Sequence, residues 1–283
     1  MILVCLKWVA LRPEVDPLTG ETQTDARWSG MSAADQAALE LALDLGSRRN
    51  TTVCALTVSG AESEVALREA LALGATTATR IDSPDALPSD AVAAAIAQYV
   101  ASIGTHVIEL VLCGDWSADR GSGSVPVFLA EALGFDDACG LVSVTLDSDS
   151  TLLAERRLDG GRRERLRIEL PSVVSVEGAA ARLRRATLQG LLRAKSENVV
   201  VWRPPLAVSS LQSEPLHTGP YRPPARVLAG PATSLSPLRR VEILTGALNE
   251  RTPPRKMVLD PEAAADEILT QLANWGYELP DAP

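Results

Sequence analysis

Aromatic residues make up only 4% of the 283 residues, so any core must be built mostly from Ala, Val and Leu. Histidine is scarcer still: His106 and His217 are the only two, too few for a histidine-based metal centre, and no metal site is expected. The four cysteines, Cys5, Cys54, Cys113 and Cys139, stand far apart without a C-x-x-C pair, and three lie in apolar runs. That pattern reads as buried free thiols of a cytoplasmic protein, not as disulfides or metal ligands. Positive charge is in deficit, with a formal net charge of −9, which argues against a general nucleic-acid binder. No apolar run approaches the roughly 20 residues of a membrane span, so no membrane insertion is expected. The start, MILVCLKWVA, is followed by charged residues and by no small-residue cleavage site. It reads as a first strand and not as a signal peptide.

Catalytic signatures are missing too. No G-x-S-x-G elbow occurs, no G-x-x-x-x-G-K-[ST] loop occurs, and no spacing forces two carboxylates into a pair. No catalytic residue is assigned. The chain reads as one that binds, carries or regulates.

What is present centres on Val107 to Glu131, VIELVLCGDWSADRGSGSVPVFLAE. Val107 to Cys113 is an apolar run of strand length; a loop of Gly, Ser and Asp follows, and Val127 to Leu133 begins a helical pattern behind Pro126. Strand, small-residue loop and helix is how an α/β sheet offers backbone N–H groups to an anion. Gly121 and Gly123 allow close approach, while Ser117, Ser122 and Ser124 add hydroxyls. Pro126 stands where the dinucleotide fingerprint wants a third small residue, so a solvated loop without ligand remains an equal reading.

In chain order, Ile2 to Leu6 reads as a strand, and Glu21 to Trp28 as a surface hairpin. Ser32 is placed to cap a helix with Asp35 at its third position, and Ala34, Ala37, Ala38, Leu41 and Leu45 give its apolar stripe. Thr52 to Val58, Thr79 to Ile81 and the central strand alternate with helices over Glu62 to Leu73 and Asp90 to Ile103, stopped by Gly74 and Gly104. From Cys139 to Val176 strands follow one another directly, around turns at Asp147 to Ser150 and Asp159-Gly160-Gly161. The sum is α/β: a doubly wound, mostly parallel sheet of about five strands with an antiparallel extension. Residues 1–200 form this nucleotide-binding domain, 201–256 an extended Pro-rich arm, and 257–283 a C-terminal helix packing on a partner. A crevice is expected at the carboxyl ends of the first, second and fourth strands.

The stretch AERRLDGGRRERLRIELPSVVS, Ala154 to Ser175, resembles the beta subunit of the electron transfer flavoproteins. Arg156, Asp159-Gly160-Gly161, Glu164, Leu166 and Pro171-Ser172-Val173-Val174-Ser175 meet that family's signature in order. ILVCLKWV, SAADQAALELAL, LREALALGA and the central strand, loop and helix extend the similarity over most of the chain. The resemblance implies an adenine-nucleotide alpha-hydrolase-like fold and a heterodimer with an alpha subunit that holds most of an FAD, while this chain buries a structural AMP. It further implies electrons taken from flavin-dependent dehydrogenases and passed to a membrane quinone oxidoreductase.

By position, the resemblance places Cys5, Ser32, Ala33, Ala34, Val58, Cys113, Gly114, Asp115, Ser117, Asp119, Ser122, Gly123 and Ser124 at the cofactors. It places partner docking at Ala186 to Gly190, with Leu188 as apolar anchor in a basic collar of Arg184, Arg185 and Arg193. Three departures stand out. Ser32-Ala33-Ala34 replaces a common Asn-Pro-Phe, Arg120 follows Asp119 where a Gly is frequent, and Gln189 replaces a frequent proline. With the Ala-rich, aromatic-poor style they resemble the branch associated with mycofactocin, a peptide-derived redox cofactor. The competing readings are a nucleotide hydrolase of the same fold, which would want S-G-G-x-D-S where Lys7-Trp8-Val9 stands, and a stand-alone adenine-nucleotide sensor, which has no use for the arm.

Overall fold

Near-continuous apolar runs form short strands that are buried on both faces, the pattern a sheet covered by helices on each side requires. The computed structural model describes residues 1–16, 19–83, 87–205, 230–245 and 256–276. Its first elements are β1 (Ile2–Cys5), β2 (Trp8–Ala10), β3 (Glu14–Val15), β4 (Thr22–Gln23), β5 (Ser29–Met31) and α1 (Ala33–Arg48). Then follow β6 (Val53–Ser59), α2 (Glu64–Leu73), β7 (Thr77–Asp82), α3 (Ser89–Ile103), β8 (Leu110–Gly114) and α4 (Val125–Leu133). The chain continues through β9 (Asp136–Ser148), β10 (Thr151–Arg157), β11 (Arg163–Glu169), β12 (Ser172–Val176), α5 (Leu188–Ser196) and β13 (Val200–Trp202). Two further helices are α6 (Pro237–Thr245) and α7 (Pro261–Asn274).

The main sheet has nine strands in the order β11-β10-β9-β12-β8-β1-β6-β7-β13. From β9 to β13 every neighbouring pair is parallel, and β10 and β11 add the antiparallel extension. Ile2 and Val4 of β1 belong to one apolar cluster with α1 and α2; Leu3 belongs to the other with α3 and α4. The expected doubly wound sheet is therefore present, but larger than five strands. One added strand is β13, whose Val200 pairs with Thr79 and whose Trp202 meets the Tyr99 ring edge-on at 5.5 Å. The boundary expected after residue 200 falls within that strand. The other addition is β9, which was expected only in the extension; it also runs parallel to β12.

The surface hairpin expected over Glu21 to Trp28 is instead β3 with β4, and Ser29 to Met31 pairs back onto Trp8 to Ala10. In the signature stretch, Arg156 of β10 is in register with Glu164 of β11 and pairs with it at 2.5 Å. Gly160 and Gly161 turn the chain between them at φ 69° and 74°, a left-handed conformation that suits glycine.

The chain divides into two compact units, Met1–Tyr221 and Arg222–Pro283. Most of the expected arm, and His217 with it, lies outside the described residues. Within the segment expected to be extended, residues 237–245 form α6, with Pro237 at its first position. Asp260 caps α7 by accepting from the Glu262 and Ala263 N–H groups. Leu238, Val241 and Leu244 of α6 and Ile268 of α7 are exposed, as is Trp275 at 71%.

Candidate functional site

The carboxyl ends of β1, β6 and β8 open into a cavity of about 120 Å³. Part of its lining is apolar, with Leu56 and Val58 from β6 and Val92 and Ile96 from α3. Its mouth is polar, formed by Lys7, Ser89 and the loop Trp116 to Ser124.

That loop is shaped by glycine. Gly121 and Gly123 adopt φ +62° and +58°, and a Cβ on Gly123 would lie 2.4 Å from the Asp115 carbonyl oxygen. The loop delivers the chain into α4 with Ser124 at the N-cap, making no side-chain capping bond, and with no acid in the first turn. The first N–H groups of α4 are thus left without a capping side chain, as an anion site requires. α3, which also starts at this cavity, likewise lacks a side-chain cap. The Ser122 and Ser124 hydroxyls lie 3.0 Å apart between the two helix starts. Arg120 bridges the mouth, donating to the Leu87 carbonyl at 2.6 Å.

Asp35, in the first turn of α1, also lines the cavity. Ser32 caps this helix, its Oγ accepting from the Asp35 N–H at 3.0 Å, and Asp35 Oδ2 accepts from the Lys7 N–H at 3.2 Å. Burial pushes its carboxyl up to about 7, although the Lys7 N–H and the Ser32 hydroxyl pull the other way. The Lys7 ammonium pairs with Asp119. Burial raises Asp119, but the Lys7 pair, the Ser117 hydroxyl and the Arg120 N–H outweigh it and hold the carboxyl below its ordinary value. Cys113 hydrogen-bonds Cys5 and is buried, and both effects push its thiol up. All four cysteines are free.

Of the residues assigned to cofactors, Cys5, Val58, Cys113, Gly114, Ser117, Ser122, Gly123 and Ser124 line the cavity. The others stand behind it. Ser32 is buried as the α1 cap, Ala33 packs where a Cβ on Gly178 would fall, and Ala34 backs Gly114. Asp115 donates its N–H to the Val176 carbonyl, and Asp119 holds Lys7. Lys7, Trp116 and Arg120, which belong to the loops Leu6 to Ala10 and Cys113 to Ser124 expected around the crevice but were not assigned to the cofactors, line the cavity, as does the α3 wall, which was not expected there. A basic residue after the first strand was the available signal for Lys7; the α3 wall carries none beyond helical periodicity.

At the docking segment, Thr187 caps α5 by accepting from the Gly190 N–H at 3.0 Å. Leu188 then projects, 74% exposed, with Leu191 and Leu192 exposed beside it. Two of the three collar arginines are engaged by the body of the domain. Arg184 makes a forked pair with Glu40, and Arg193 donates to the Leu71 carbonyl at the end of α2 at 2.9 Å. Among the described residues no cluster of His, Cys, Asp and Glu is placed to hold a metal ion, and no helix is long and apolar enough to cross a membrane.

The family model for the electron transfer flavoprotein domain matches residues 24–207. The electron transfer flavoprotein subunit beta of Bacillus subtilis is 31% identical over 183 residues, covering 63% of this chain and 69% of its own length. The human subunit beta is 28% identical over 208 residues, 72% of this chain and 81% of its own. Protein FixA of Rhizobium meliloti is 30% identical over 209 residues, 71% of each chain. With the match spanning every strand of the main sheet but β1, the signature hairpin and the cavity loop, the chain belongs to the electron transfer flavoprotein beta-subunit family, proteins of electron transfer.

Proposed function

We propose that this chain is the beta subunit of a heterodimeric electron transfer flavoprotein, which holds an AMP structurally and completes the FAD site of an alpha subunit. The observation that carries this reading is the cavity loop leading into the uncapped start of α4. The residues fit the nucleotide. The N–H groups of α4, the Ser122 and Ser124 hydroxyls and the cations Lys7 and Arg120 suit a phosphate, while Leu56, Val58, Val92 and Ile96 suit a base. FAD, held chiefly by the alpha subunit, supplies the redox chemistry when bound. This chain's part is to order the fold around the nucleotide, to present Leu188 to flavin-dependent dehydrogenases, and to cover the alpha subunit with the exposed apolar residues of α6 and α7. In this reading electrons pass to a membrane quinone oxidoreductase from a cytoplasmic carrier, and the Ser32-Ala33-Ala34 and Gln189 departures fit a mycofactocin-linked branch.

The test is to co-express the chain with its alpha-subunit candidate, purify and denature the pair, and identify the released nucleotides by chromatography and mass. One FAD and one AMP per pair are expected. A second FAD in place of AMP would indicate a different occupant of this cavity. No nucleotide from a folded pair, or ATP turnover by the isolated chain, would overturn the reading.

A further inference from the structure

Among the described residues lining the cavity, Asp35 is the only carboxylate, and it is 6% exposed. Its surroundings offer little compensation for a negative charge. From the end of β1 comes the Cys5 side chain, and from the loop after it the Lys7 N–H and the Lys7 ammonium, which lowers Asp35 but is itself paired with Asp119. From β8 come Gly114, where an added Cβ would fall 2.5 Å from the carboxylate, and Cys113, whose raised pKa keeps it a neutral thiol. From the loop before α4 come Asp119, a like charge, and Arg120, which spans the mouth to Leu87. From α1 itself comes the Ser32 hydroxyl.

A phosphomonoester carries close to two negative charges at neutral pH. Brought into this cavity it raises the cost of an ionised Asp35, because low-polarity walls screen charges poorly. The neutral acid has no such penalty, and it gains an O–H donor toward a nucleobase or a ribose. Resting on the assignment of the cavity to an adenine nucleotide, we propose that Asp35 is a proton-linked gate on that site: the nucleotide binds with Asp35 as the neutral acid and takes up a proton when Asp35 starts ionised. Retention of the nucleotide then falls as the surroundings become alkaline. Binding and proton uptake are two faces of one equilibrium.

The experiment is calorimetric titration of AMP into the nucleotide-stripped full chain at about pH 7, 8 and 9, in buffers of different ionisation enthalpy. Wild type should take up close to one proton per AMP at about pH 8, where the phosphate is already ionised, and lose about tenfold in affinity per pH unit above that. Asp35→Asn should show neither effect; Asp35→Ser, which keeps an acceptor for the Lys7 N–H, replaces it if the Asn variant does not fold. AMP binding by wild type with no proton uptake and a flat pH profile would overturn the gate while leaving the nucleotide site standing. Uptake that persists in the Asp35 variants would overturn it as well. Absence of AMP binding at every pH would remove the nucleotide assignment itself, and the gate with it.

Discussion

A Cβ on Gly114 would lie 2.5 Å from Oδ1 of Asp35 and 3.0 Å from the Ala34 carbonyl carbon. The last residue of β8 must therefore be bare for α1 to start against it with an acid turned inward. Gly114→Ala should cost about 1–3 kcal/mol by overpacking. It should also displace Asp35 and lower the nucleotide content. Denaturant unfolding and nucleotide analysis of the same preparation check both.

Gly123 carries two constraints, φ +58° and the Asp115 carbonyl oxygen 2.4 Å from any Cβ. Gly123→Ala should therefore reshape the loop into α4 and strip the nucleotide, at a stability cost of about 1–3 kcal/mol. Ser117→Ala removes only a hydroxyl from the same loop. It should lose less nucleotide, so the ratio of the two contents is the quantity to compare.

Asp35 also sets a stability profile. Its folded pKa of about 7 lies above the ordinary 3.8, so the folded chain binds more protons than the unfolded one between those values. This group's contribution is most favourable below about pH 4, declines as pH rises to about 7 and is constant above, a change of a few kcal/mol. Subtracting the pH–stability curve of Asp35→Asn from that of wild type should leave a difference falling across that window. A flat difference would contradict the burial assigned to Asp35.

Leu188 is too exposed to stabilise the fold, so Leu188→Ala should shift unfolding by less than about 0.5 kcal/mol. Reduction by the partner dehydrogenase should slow by about tenfold or more, as for an interface anchor, with flavin content unchanged. Stopped-flow reduction checks it; unaltered rates would remove Leu188 from the docking surface.

Gly190 sits on the end of α2, where a Cβ would come within 2.2 Å of the Ala72 carbonyl oxygen. Gly190→Ala should lift α5 from α2, costing about 1–3 kcal/mol, and slow docking by moving Leu188. Hydrogen exchange over Leu188–Ser196 should rise in this variant.

Local chemistry was legible, and remote pairing was not. Ser32 as cap, Gly74 and Gly104 as helix stops and the turn at Gly160-Gly161 could be placed because each acts within a few residues. β13 escaped because Val200, Val201 and Trp202, strand formers by type, are too few to stand apart at the mouth of a Pro-rich stretch; β7 makes them a strand. α6 escaped because its flanking prolines and glycines mask nine residues of helix. At the site, Asp35 could be read as a first-turn acid. Its inward turn depends on Gly114, far away in sequence. The collar at Leu188 looked uniform because Glu40 and the Leu71 carbonyl, which engage Arg184 and Arg193, come from other elements.

The placement of β13 bears on how the chain is made. During synthesis Thr79 must wait for Val200 before β7 gains its outer neighbour, and until then its backbone N–H and C=O groups form an open edge. An emerging or truncated chain that stops short of Trp202 presents that edge to its own copies. Such fragments should associate strand to strand more readily than the longer chain, in which the six-residue edge of β7 is covered and only the three-residue edge of β13 is left.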